Sequence, residues 1–331
     1  MTTADKPPRV SLVIPVYNGA AHLQECLESI AAQTYETGTF ETVIVNNGST
    51  DGTGTIADSF ARRDPRFRVR HLPFVPKADN YNRALASADP EAKFIKIVEA
   101  DNWLWPEALE QMVEVAESDP EIGLVGSYYM YGDSAIVGDL IEGKRKVYPG
   151  REILRTQLLT NKFYFGTPTV MLFRAEALRG LAFRPSFFDD IELYFEVLRK
   201  WKYGFVPQVL AFVRADNEGV FTGFRNFDYI PAYRYLLTLR YGAELLNPDE
   251  LAHAKKEWRR RYLQRLAHAA IAGRPRPYWD FHRTVFQLLG EKFNYRKLIR
   301  PLAAVLSDMA LNPKATVEGL RRRKRRITTN L

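Results

Sequence analysis

Two short acidic motifs carry the side chains of this chain that are best suited to chemistry. Glu99 and Asp101 follow directly after the apolar segment Phe94–Val98, and Asp189 and Asp190 stand at the start of a helix-like segment. Carboxylate oxygens are the ligands that hard cations such as Mg²⁺ and Mn²⁺ take in proteins, and a carboxylate can also accept a proton. The alternative for each motif is structural, because carboxylates at the start of a helix often only cap it.

Several common catalytic patterns are missing from the sequence. No GxGxxG fingerprint follows the first apolar segment and no GxxxxGK[ST] phosphate loop occurs, which removes the main support for a dehydrogenase or a P-loop enzyme. The five histidines show no HxxxH pairing and no GxSxG motif is present, so zinc hydrolysis and serine-type catalysis have no support. Cys26, the one cysteine, lies on the apolar stripe of a predicted helix, where a buried thiol is expected.

The elements that must position the first motif alternate along the chain. Strands that alternate with helices of this length favour a doubly wound α/β fold, with a mostly parallel sheet and helices on both faces. In such sheets, ligands bind beyond the carboxyl ends of the strands. The predicted elements are strands at Val10–Val16, Thr42–Val45, Phe67–Leu72 and Phe94–Val98, and helices at Ala21–Gln33, Thr53–Arg63, Ala78–Ala88 and from Pro106.

Three ordered motifs give the sequence a specific resemblance. VSLVIPVYN at residues 10–18, VNNGSTDGT at 45–53 and VEADN at 98–102, the last followed by a proline-led helix, resemble the inverting glycosyltransferases of family 2. The resemblance covers about residues 10–215. It implies a GT-A type doubly wound mixed sheet, and an enzyme that moves one sugar from a nucleoside-diphosphate sugar to an acceptor hydroxyl.

The resemblance assigns the first acidic motif to the sugar donor. A diphosphate departs readily only if its developing charge is neutralised, which a divalent metal, Mn²⁺ or Mg²⁺, would do. The family has Asp-x-Asp here, so the resemblance implies Asp101 as a metal ligand and Glu99 as a contact to the donor sugar or ribose. Asp216 stands where the family often has a histidine that serves the metal, and it is a second candidate ligand.

The second motif departs from the family pattern. The family begins it with an acid that accepts the imide proton of uracil or thymine, whereas this chain has Asn46. The Asn46 carbonyl can still accept that proton, so a UDP- or dTDP-sugar is favoured as the donor. The residues that follow, 48–51, are expected to form a turn and the cap of the next helix.

Other parts of the donor site are implied on the first loop and the third helix. Asn82 matches an asparagine of the family, and Lys77 or Arg83 could contact the diphosphate or be solvated. Tyr17 could equally be a core aromatic residue. The residues that match the family's base and ribose contacts are Pro15, Val16, Tyr17 and Asn18.

The second acidic motif matches the position of the catalytic base in the family. An inverting transfer needs a base that removes the acceptor hydroxyl's proton as the oxygen attacks the anomeric carbon. The resemblance implies Asp190 for this role, with Asp189 and Glu192 as competitors. Gly166 and Thr167 resemble the acceptor-side loop, and Asp189 is assigned to the same side.

Composition and charge limit the cellular locations that the sequence favours. A single cysteine excludes a disulfide scaffold and favours a reducing, cytoplasmic location, and no apolar segment reaches the length of a membrane helix or a secretory signal. Residues 231–331 hold 22 Lys and Arg against 8 Asp and Glu, whereas the first 230 residues hold 25 against 31. The basic tail predicts contact with an anionic surface, such as the inner membrane face, unless it is only a solvated helical face.

We expect two domains: residues 1–225 as the GT-A catalytic domain and residues 226–331 as a basic, aromatic-rich helical region. Its aromatic residues suit a bilayer surface, although a helical bundle packed on the body or on a second subunit is the alternative. No nucleic-acid partner is expected. The predicted acceptor is a glycan or a lipid-linked acceptor. The competing functions are a non-catalytic glycan-assembly or binding protein on this fold, and a sugar-nucleotide nucleotidyltransferase, whose glycine-rich basic loop is missing.

Overall fold

The chain divides into two compact units, Met1–Asn217 and Glu218–Leu331. The predicted boundary at residue 225 falls outside the described residues and stays a prediction. The computed structural model describes residues 9–36, 40–137, 146–186, 188–215 and 227–312.

The first half of the first unit is the predicted parallel sheet. Strand β1 (Val10–Val16) pairs in parallel with β2 (Phe40–Asn47) and β4 (Phe94–Ile97), and β3 (Phe67–Leu72) pairs in parallel with β2. All seven residues of β1 are buried, as its mostly apolar sequence predicts for a central strand, and the one polar residue among them is Ser11. The bounds of β1 and β3 are those predicted from the sequence, whereas β2 is longer at both ends.

The second half makes the sheet mixed, which confirms the predicted fold class. β9 (Leu172–Arg174) lies antiparallel between β4 and β6 (Ile122–Tyr131), and β10 (Lys202–Val213) pairs in parallel with β6. The order of the main strands is β3-β2-β1-β4-β9-β6-β10-β5, where β5 is Trp103–Leu104. Two short strands complete the sheet, β7 (Ser134–Val137) beside β6 and β8 (Val147–Tyr148) beside β10.

Helices follow the strands largely as predicted. The helix predicted from Pro106 begins two residues later, because residues 103 and 104 form β5 and the Ala108 N–H closes a turn on the Trp105 carbonyl. The helices of the first unit are α1 (Ala20–Ala31), α2 (Thr53–Arg63), α3 (Lys77–Leu85), α4 (Ala108–Glu117), α5 (Gly150–Leu159) and α6 (Asp189–Leu198).

The parallel strands place three predicted loops at one edge of the sheet. β1, β2 and β4 run in the same direction, so the loops that begin at Tyr17, Gly48 and Glu99 follow the carboxyl ends of neighbouring strands. This is the edge at which open α/β sheets bind ligands.

The second unit is helical in its described part. Asn247 begins the second of its helices in a capping box with Glu250, in which each side chain accepts from the other's backbone N–H. None of the described helices combines the length and apolar character needed to cross a bilayer. The helices are α7 (Ile230–Leu245), α8 (Pro248–Ile271), α9 (Arg276–Leu288) and α10 (Ile299–Leu311).

Most of the aromatic residues that the structure describes in this unit are internal. Tyr262, Tyr278 and Phe286 are buried around His282, whose Nδ1 lies 2.9 Å from the Tyr262 hydroxyl and whose Nε2 lies 2.8 Å from a backbone carbonyl. Burial lowers the pKa of His282 to about 4. These aromatic side chains form a core for the unit, while Tyr295 remains exposed.

Candidate active site

Asn46 is held in a chain of side-chain hydrogen bonds at the end of β2. Its Oδ1 accepts from the Ser49 N–H at 3.2 Å, and its Nδ2 donates to His71 Nδ1 at 3.0 Å. His71 is the residue opposite Asn46 on β3, and its Nε2 lies 3.0 Å from Asp58 Oδ1. Because Nδ1 accepts a hydrogen bond here, Nε2 carries the proton and donates to Asp58. His71 and Asp58 therefore fix the orientation of the Asn46 amide.

An exposed aromatic pair lies beside this chain. The rings of Tyr17 and Phe74 have centroids 4.8 Å apart, and both side chains are about half exposed, so the alternative of a core Tyr17 is wrong. Asn47 places the Phe74 segment through two 2.9 Å hydrogen bonds to the Val75 backbone. Gly48 has φ +69°, and a Cβ there would lie 2.8 Å from the Phe74 nitrogen, so only glycine fits.

The turn after β2 is tied to the loop after β1. The Asn18 N–H donates to Ser49 Oγ and the Thr50 N–H donates to Asn18 Oδ1, both at 2.9 Å. Asp51 accepts from the Thr53 N–H at 3.0 Å, in the first turn of α2. The turn predicted over residues 48–51 thus joins the loop after β1 to the start of α2 and stabilises both. The other two predicted residues of the first loop, Pro15 and Val16, are buried in β1.

Glu99 is surrounded by hydrogen-bond donors. Its Oε1 accepts from the Tyr81 hydroxyl at 3.0 Å, and its Oε2 accepts from Asn102 Nδ2 at 3.0 Å and from Thr169 Oγ1 at 3.2 Å. The Glu99 N–H also donates to Thr169 Oγ1 at 3.0 Å. This carboxylate is therefore held in one orientation by residues from α3, its own loop and the segment before β9.

The charge around Glu99 and Asp101 fits a divalent cation. Burial and the charge of Asp101 raise the pKa of Glu99, although Thr167, Lys77 and Tyr81 act in the opposite direction. Two carboxylates in one half-buried motif repel each other, and a bound cation would relieve that repulsion. The oxygen-only donor set suits Mg²⁺ or Mn²⁺.

A cation bound by Glu99 or Asp101 would need further ligands. Among the described residues, no three His, Cys, Asp or Glu side chains are grouped as a ready metal site. Asp216, the second candidate ligand, lies outside the described residues. The metal assignments therefore stay predictions.

Arg214, which follows β10, binds the loop that carries Glu99 and Asp101. Its backbone N–H donates to Asn102 Oδ1 at 3.0 Å, and its Nε donates to the Asp101 carbonyl at 3.1 Å. Its guanidinium also pairs with Glu25. Arg214 thus places the backbone that carries Asp101.

The second acidic motif begins α6. Asp189 is buried and accepts from Lys77 Nζ at 3.0 Å, whereas Asp190 is half-buried and its Oδ1 accepts from the Ile191 N–H at 2.8 Å. Burial and the charge of Asp189 raise the pKa of Asp190 to about 7, against the opposing effect of Lys77. A carboxyl group with a pKa near neutrality is suited to accepting a proton in a reaction.

Lys77 connects the two acidic motifs. Lys77 is exposed at its surface, and the partial loss of solvent around its ammonium opposes the charged form, but the charges of Asp189, Asp190 and Glu99 outweigh this and raise its pKa. The ammonium also lies 5.1 Å from the centre of the Tyr81 ring, and Tyr81 in turn binds Glu99. Lys77 is therefore a cation shared by both motifs.

The remaining predicted residues lie in the segments around the two acidic motifs. Both polar atoms of Asn82 bind the Phe183 backbone, at 2.8 and 2.9 Å, so this side chain braces the segment that precedes α6. Arg83 donates to the Pro73 carbonyl at 2.7 Å. Gly166 packs so closely that a Cβ would lie 2.6 Å from Val170, and Thr167 follows it directly before the 3-10 helix Pro168–Val170. The contacts of these residues with substrates stay predictions.

Three residues at the centre of the site were missed by the sequence reasoning. Asn102 is inside the VEADN motif and Tyr81 precedes Asn82, so motif proximity could have indicated both. Thr169 is 70 positions from Glu99, and the segment 166–169 that resembles the acceptor-side loop gives no indication that it contacts the donor-side motif. Only the insertion of β9 beside β4 brings it to the site.

Comparison with known proteins shows the family to which this chain belongs. The family model for glycosyl transferase family 2 matches residues 11–181, and the chain belongs to that family. The chain is similar to the putative glycosyltransferase EpsH of Bacillus subtilis, with 35% identity over 115 residues, which span 35% of this chain and 32% of EpsH. It is 34% identical over 129 residues to the glycosyltransferase GlyG of Streptococcus pneumoniae, covering 38% of this chain and 40% of GlyG. The chain thus spans well under half of these relatives.

Solved structures share the architecture. S. aureus TarS residues 1–349 in complex with UDP-GlcNAc matches with a TM-score of 0.58 and 17% identity, over 77% of this chain and 72% of that one. The mannosyltransferase PcManGT of Pyrobaculum calidifontis, in complex with GDP-Man and Mn²⁺, matches with a TM-score of 0.56 and 20% identity, over 93% and 88% of the two chains. The likeness shows the fold, and the predicted GT-A fold is confirmed.

Proposed function

We propose that this protein is an inverting glycosyltransferase that moves one sugar from a nucleoside-diphosphate sugar to a hydroxyl of a glycan or lipid-linked acceptor. The observation that carries the proposal is that two acidic motifs lie near enough to Lys77 for its charge to act on both, through an ion pair with Asp189 and through its effect on the pKa of Glu99. One motif holds a fixed, half-buried carboxylate, Glu99, and the other holds Asp190, whose pKa of about 7 suits a base. A non-catalytic binding protein would not need a carboxyl group whose pKa is poised for proton transfer near neutral pH.

Asp101 would hold a Mn²⁺ or Mg²⁺ ion, with Asp216 as the other candidate ligand. When bound, the ion would neutralise the charge that develops on the departing diphosphate. The Mn²⁺ that accompanies GDP-Man in the mannosyltransferase complex supports this choice. Glu99 would accept hydrogen bonds from hydroxyls of the donor sugar or ribose, because its orientation is already fixed by Tyr81, Asn102 and Thr169.

Asp190 would act as the general base. The acceptor oxygen gives its proton to Asp190 as it bonds to the anomeric carbon, and the bond from that carbon to the diphosphate oxygen breaks with its electron pair on the diphosphate. Attack from the face opposite the leaving group inverts the anomeric configuration. Lys77 would keep part of the Asp190 population ionised near neutral pH, since its charge lowers that pKa.

The nucleotide base would lie at the edge formed by Tyr17, Phe74 and Asn46. The exposed Tyr17 and Phe74 rings offer a stacking surface, and Asn46 Oδ1 has a second lone pair for an imide proton beyond its bond to Ser49. A pyrimidine donor, UDP- or dTDP-sugar, follows from this chemistry. The UDP in one TarS complex and UDP-GlcNAc in another support it.

A thermal-shift and product analysis tests these proposals. UDP or dTDP with Mn²⁺ should raise the melting temperature by several degrees, more than GDP does, and a chelator should reduce the shift, because a ligand that binds only the folded state stabilises it. Product NMR should show an anomeric configuration opposite to that of the donor. No shift with any nucleotide would contradict the donor assignment, and retained configuration would contradict inversion.

We also propose that the second unit binds an anionic membrane surface. α10 exposes an apolar stripe at helical spacing, in which Ile299 and Leu306 are 62% and 54% exposed and Ala303 and Ala310 continue the line. Exposed Arg296 and Arg300 lie near its start. An apolar stripe beside basic residues suits the headgroup region of a bilayer. The basic run 321–326 lies outside the described residues, and a cytoplasmic, membrane-peripheral location and an oligomeric state stay predictions.

Liposome sedimentation tests the membrane proposal. Leu306→Glu puts a charge into the apolar stripe, and Ser307→Glu puts the same charge at the next exposed position of α10, outside the stripe. Leu306→Glu should reduce binding to anionic vesicles much more than Ser307→Glu does, and added salt should weaken the binding of the unaltered protein. Equal effects of the two variants, or no binding at low salt, would contradict the proposal.

A further inference from the structure

Lys96 is a fully buried lysine in the middle of the sheet. It lies on β4 in the sequence FIKI, with no exposed surface. Its Nζ donates to the Thr169 carbonyl at 2.7 Å and to the Met171 carbonyl at 3.3 Å, and lies 3.5 Å from the Met112 sulfur. Burial lowers its pKa to about 7. Burying an ammonium group costs free energy that burying an apolar side chain at the same strand position would not. The presence of lysine here, and not of an apolar residue, therefore calls for an explanation.

The carbonyls that Lys96 binds belong to the segment that supports the acidic motif. The Thr169 carbonyl accepts from Lys96, and the Thr169 hydroxyl, on the same residue, binds the Glu99 N–H, Glu99 Oε2 and Asn102 Nδ2 within 3.2 Å. Thr169 is itself fully buried. The contacts thus form a continuous path from Lys96 through Thr169 to the carboxylate proposed to contact the donor.

A second buried cation in the same sheet provides a matched comparison. Arg174 on β9 is 7% exposed and also binds backbone carbonyls, with Nε 2.7 Å from the Ile122 carbonyl and a terminal nitrogen 2.5 Å from the Ala116 carbonyl. Its register partner is Phe94, at the amino end of β4, away from the acidic motif. Arg174 therefore fastens the end of α4 to the sheet without touching the site residues.

We propose that Lys96 is a positioning residue for the sugar-transfer reaction: it fixes Thr169, which fixes the donor-side carboxylate Glu99. The same contacts join the acceptor-side segment after Gly166 to the donor-side motif. This inference rests on the proposed glycosyltransferase function. It assigns the buried charge to the geometry of the site, whereas the charge of Arg174 serves only the fold.

Three variants separate positioning from simple stability. Lys96→Met keeps the length and apolar stem of the side chain but removes the donors, Thr169→Val keeps the shape of threonine but removes the hydroxyl, and Arg174→Met is the control. The first two should each lower kcat at saturating donor at least 10-fold while the Kd for the nucleoside diphosphate changes less than threefold. Arg174→Met should lower the melting temperature but leave kcat within about twofold. The double variant Lys96→Met/Thr169→Val should resemble the slower single variant, since both act through one path.

Hydrogen exchange supplies a readout that does not depend on activity. The Glu99 N–H is bonded to Thr169 Oγ1, so a peptide covering residues 95–104 should lose protection in Lys96→Met and in Thr169→Val but not in Arg174→Met. If the unaltered protein turns over no donor, the proposed function fails while the exchange data still decide the inference.

The proposal is overturned if folded Lys96→Met keeps the kcat and the hydrogen exchange of the unaltered protein. It is also overturned if the fold loss of kcat in the double variant equals the product of the two single losses, because the residues would then act independently. If Lys96→Met does not fold, Thr169→Val decides: a loss of kcat with retained nucleotide binding supports the path, and unaltered kcat rejects it.

Discussion

Two groups of carboxylates, one at each edge of the central sheet, are held in opposite ways. At the carboxyl edge, burial and neighbouring acids raise the pKa values of Glu99 and Asp190. At the amino edge, Glu117 is buried enough to oppose ionisation, but hydrogen bonds and charges from Lys93 and Arg9 outweigh this and lower its pKa. The amino edge therefore gains stability from its charges, whereas the carboxyl edge keeps like charges together.

This difference separates fold from function within one unit. A carboxylate with a raised pKa destabilises the folded protein in its charged form, so its retention needs another reason, such as binding a cation or moving a proton. A carboxylate with a lowered pKa is explained by its partners alone. Substitutions of Glu99 and Asp190 should thus change activity, and substitution of Glu117 should change only stability.

The largest expected effect is that of Asp101→Ala. If Asp101 holds the metal, sugar transfer should fall below detection and Mn²⁺-dependent nucleotide binding should weaken sharply, while circular dichroism shows a folded protein. The measurement is transfer rate and nucleotide affinity with and without chelator. Glu117→Gln, which changes a carboxylate at the other edge, is the control and should leave both unaltered. Turnover that persists with chelator present would contradict the metal role.

Asp190→Asn should have the next largest effect. The amide keeps the shape and hydrogen bonding of the carboxylate but cannot take a proton, so kcat should fall by about 10²- to 10⁴-fold with the donor affinity nearly unchanged. Steady-state kinetics with a calorimetric Kd would measure both. Asp189→Asn is the matched comparison, because it lies one residue away and pairs with Lys77. If Asp189→Asn gives the larger kcat loss, Asp189 is the base.

Part of the carboxyl edge could be predicted from the sequence, and part could not. The parallel strands and the three loops at their carboxyl ends follow from apolar segments and motif order, so β1, β3 and α2 have the predicted bounds. The partners of the motif residues do not follow, because they depend on tertiary contacts between distant segments. Lys77 and Asp189 are 112 positions apart.

Strand register and strand insertion set the other partners. His71 meets Asn46 only because β2 and β3 pair in that register. Thr169 reaches Glu99 only because β9 inserts beside β4. The sequence could therefore name candidate side chains, but it could not give their partners, pKa values or orientations.

Lys77→Met should shift the pH dependence of transfer. A base works when ionised, so kcat/KM should rise as pH increases through the pKa of Asp190, about 7. The charge of Lys77 lowers that pKa, so its removal should move this acidic limb to higher pH. Lys93→Met, which removes an ammonium at the amino edge, should leave the limb in place. An unmoved limb in Lys77→Met, or one displaced to lower pH, would show that Lys77 does not act on the base.

The smallest expected effect is that of Glu117→Gln, and it concerns stability alone. The pKa of Glu117 is lower in the folded protein than its usual 4.5, so its charge contributes stability above that pH, and the contribution is lost as the pH falls through the folded-state value. The ion pairs to Arg9 and Lys93, both 2.6 Å long, are partly exposed, so the loss at pH 7 should be below about 1 kcal/mol.

Urea denaturation of Glu117→Gln and the unaltered protein at pH 7 and below pH 4 measures this contribution. The difference in unfolding free energy should shrink on acidification, because the glutamate becomes neutral like the glutamine. Transfer rates should be equal in the pH range where both proteins are folded, since Glu117 ends α4 at the amino edge. A variant that loses transfer activity while remaining folded would show that the two edges are coupled, and the assignment of catalysis to the carboxyl edge alone would have to be given up.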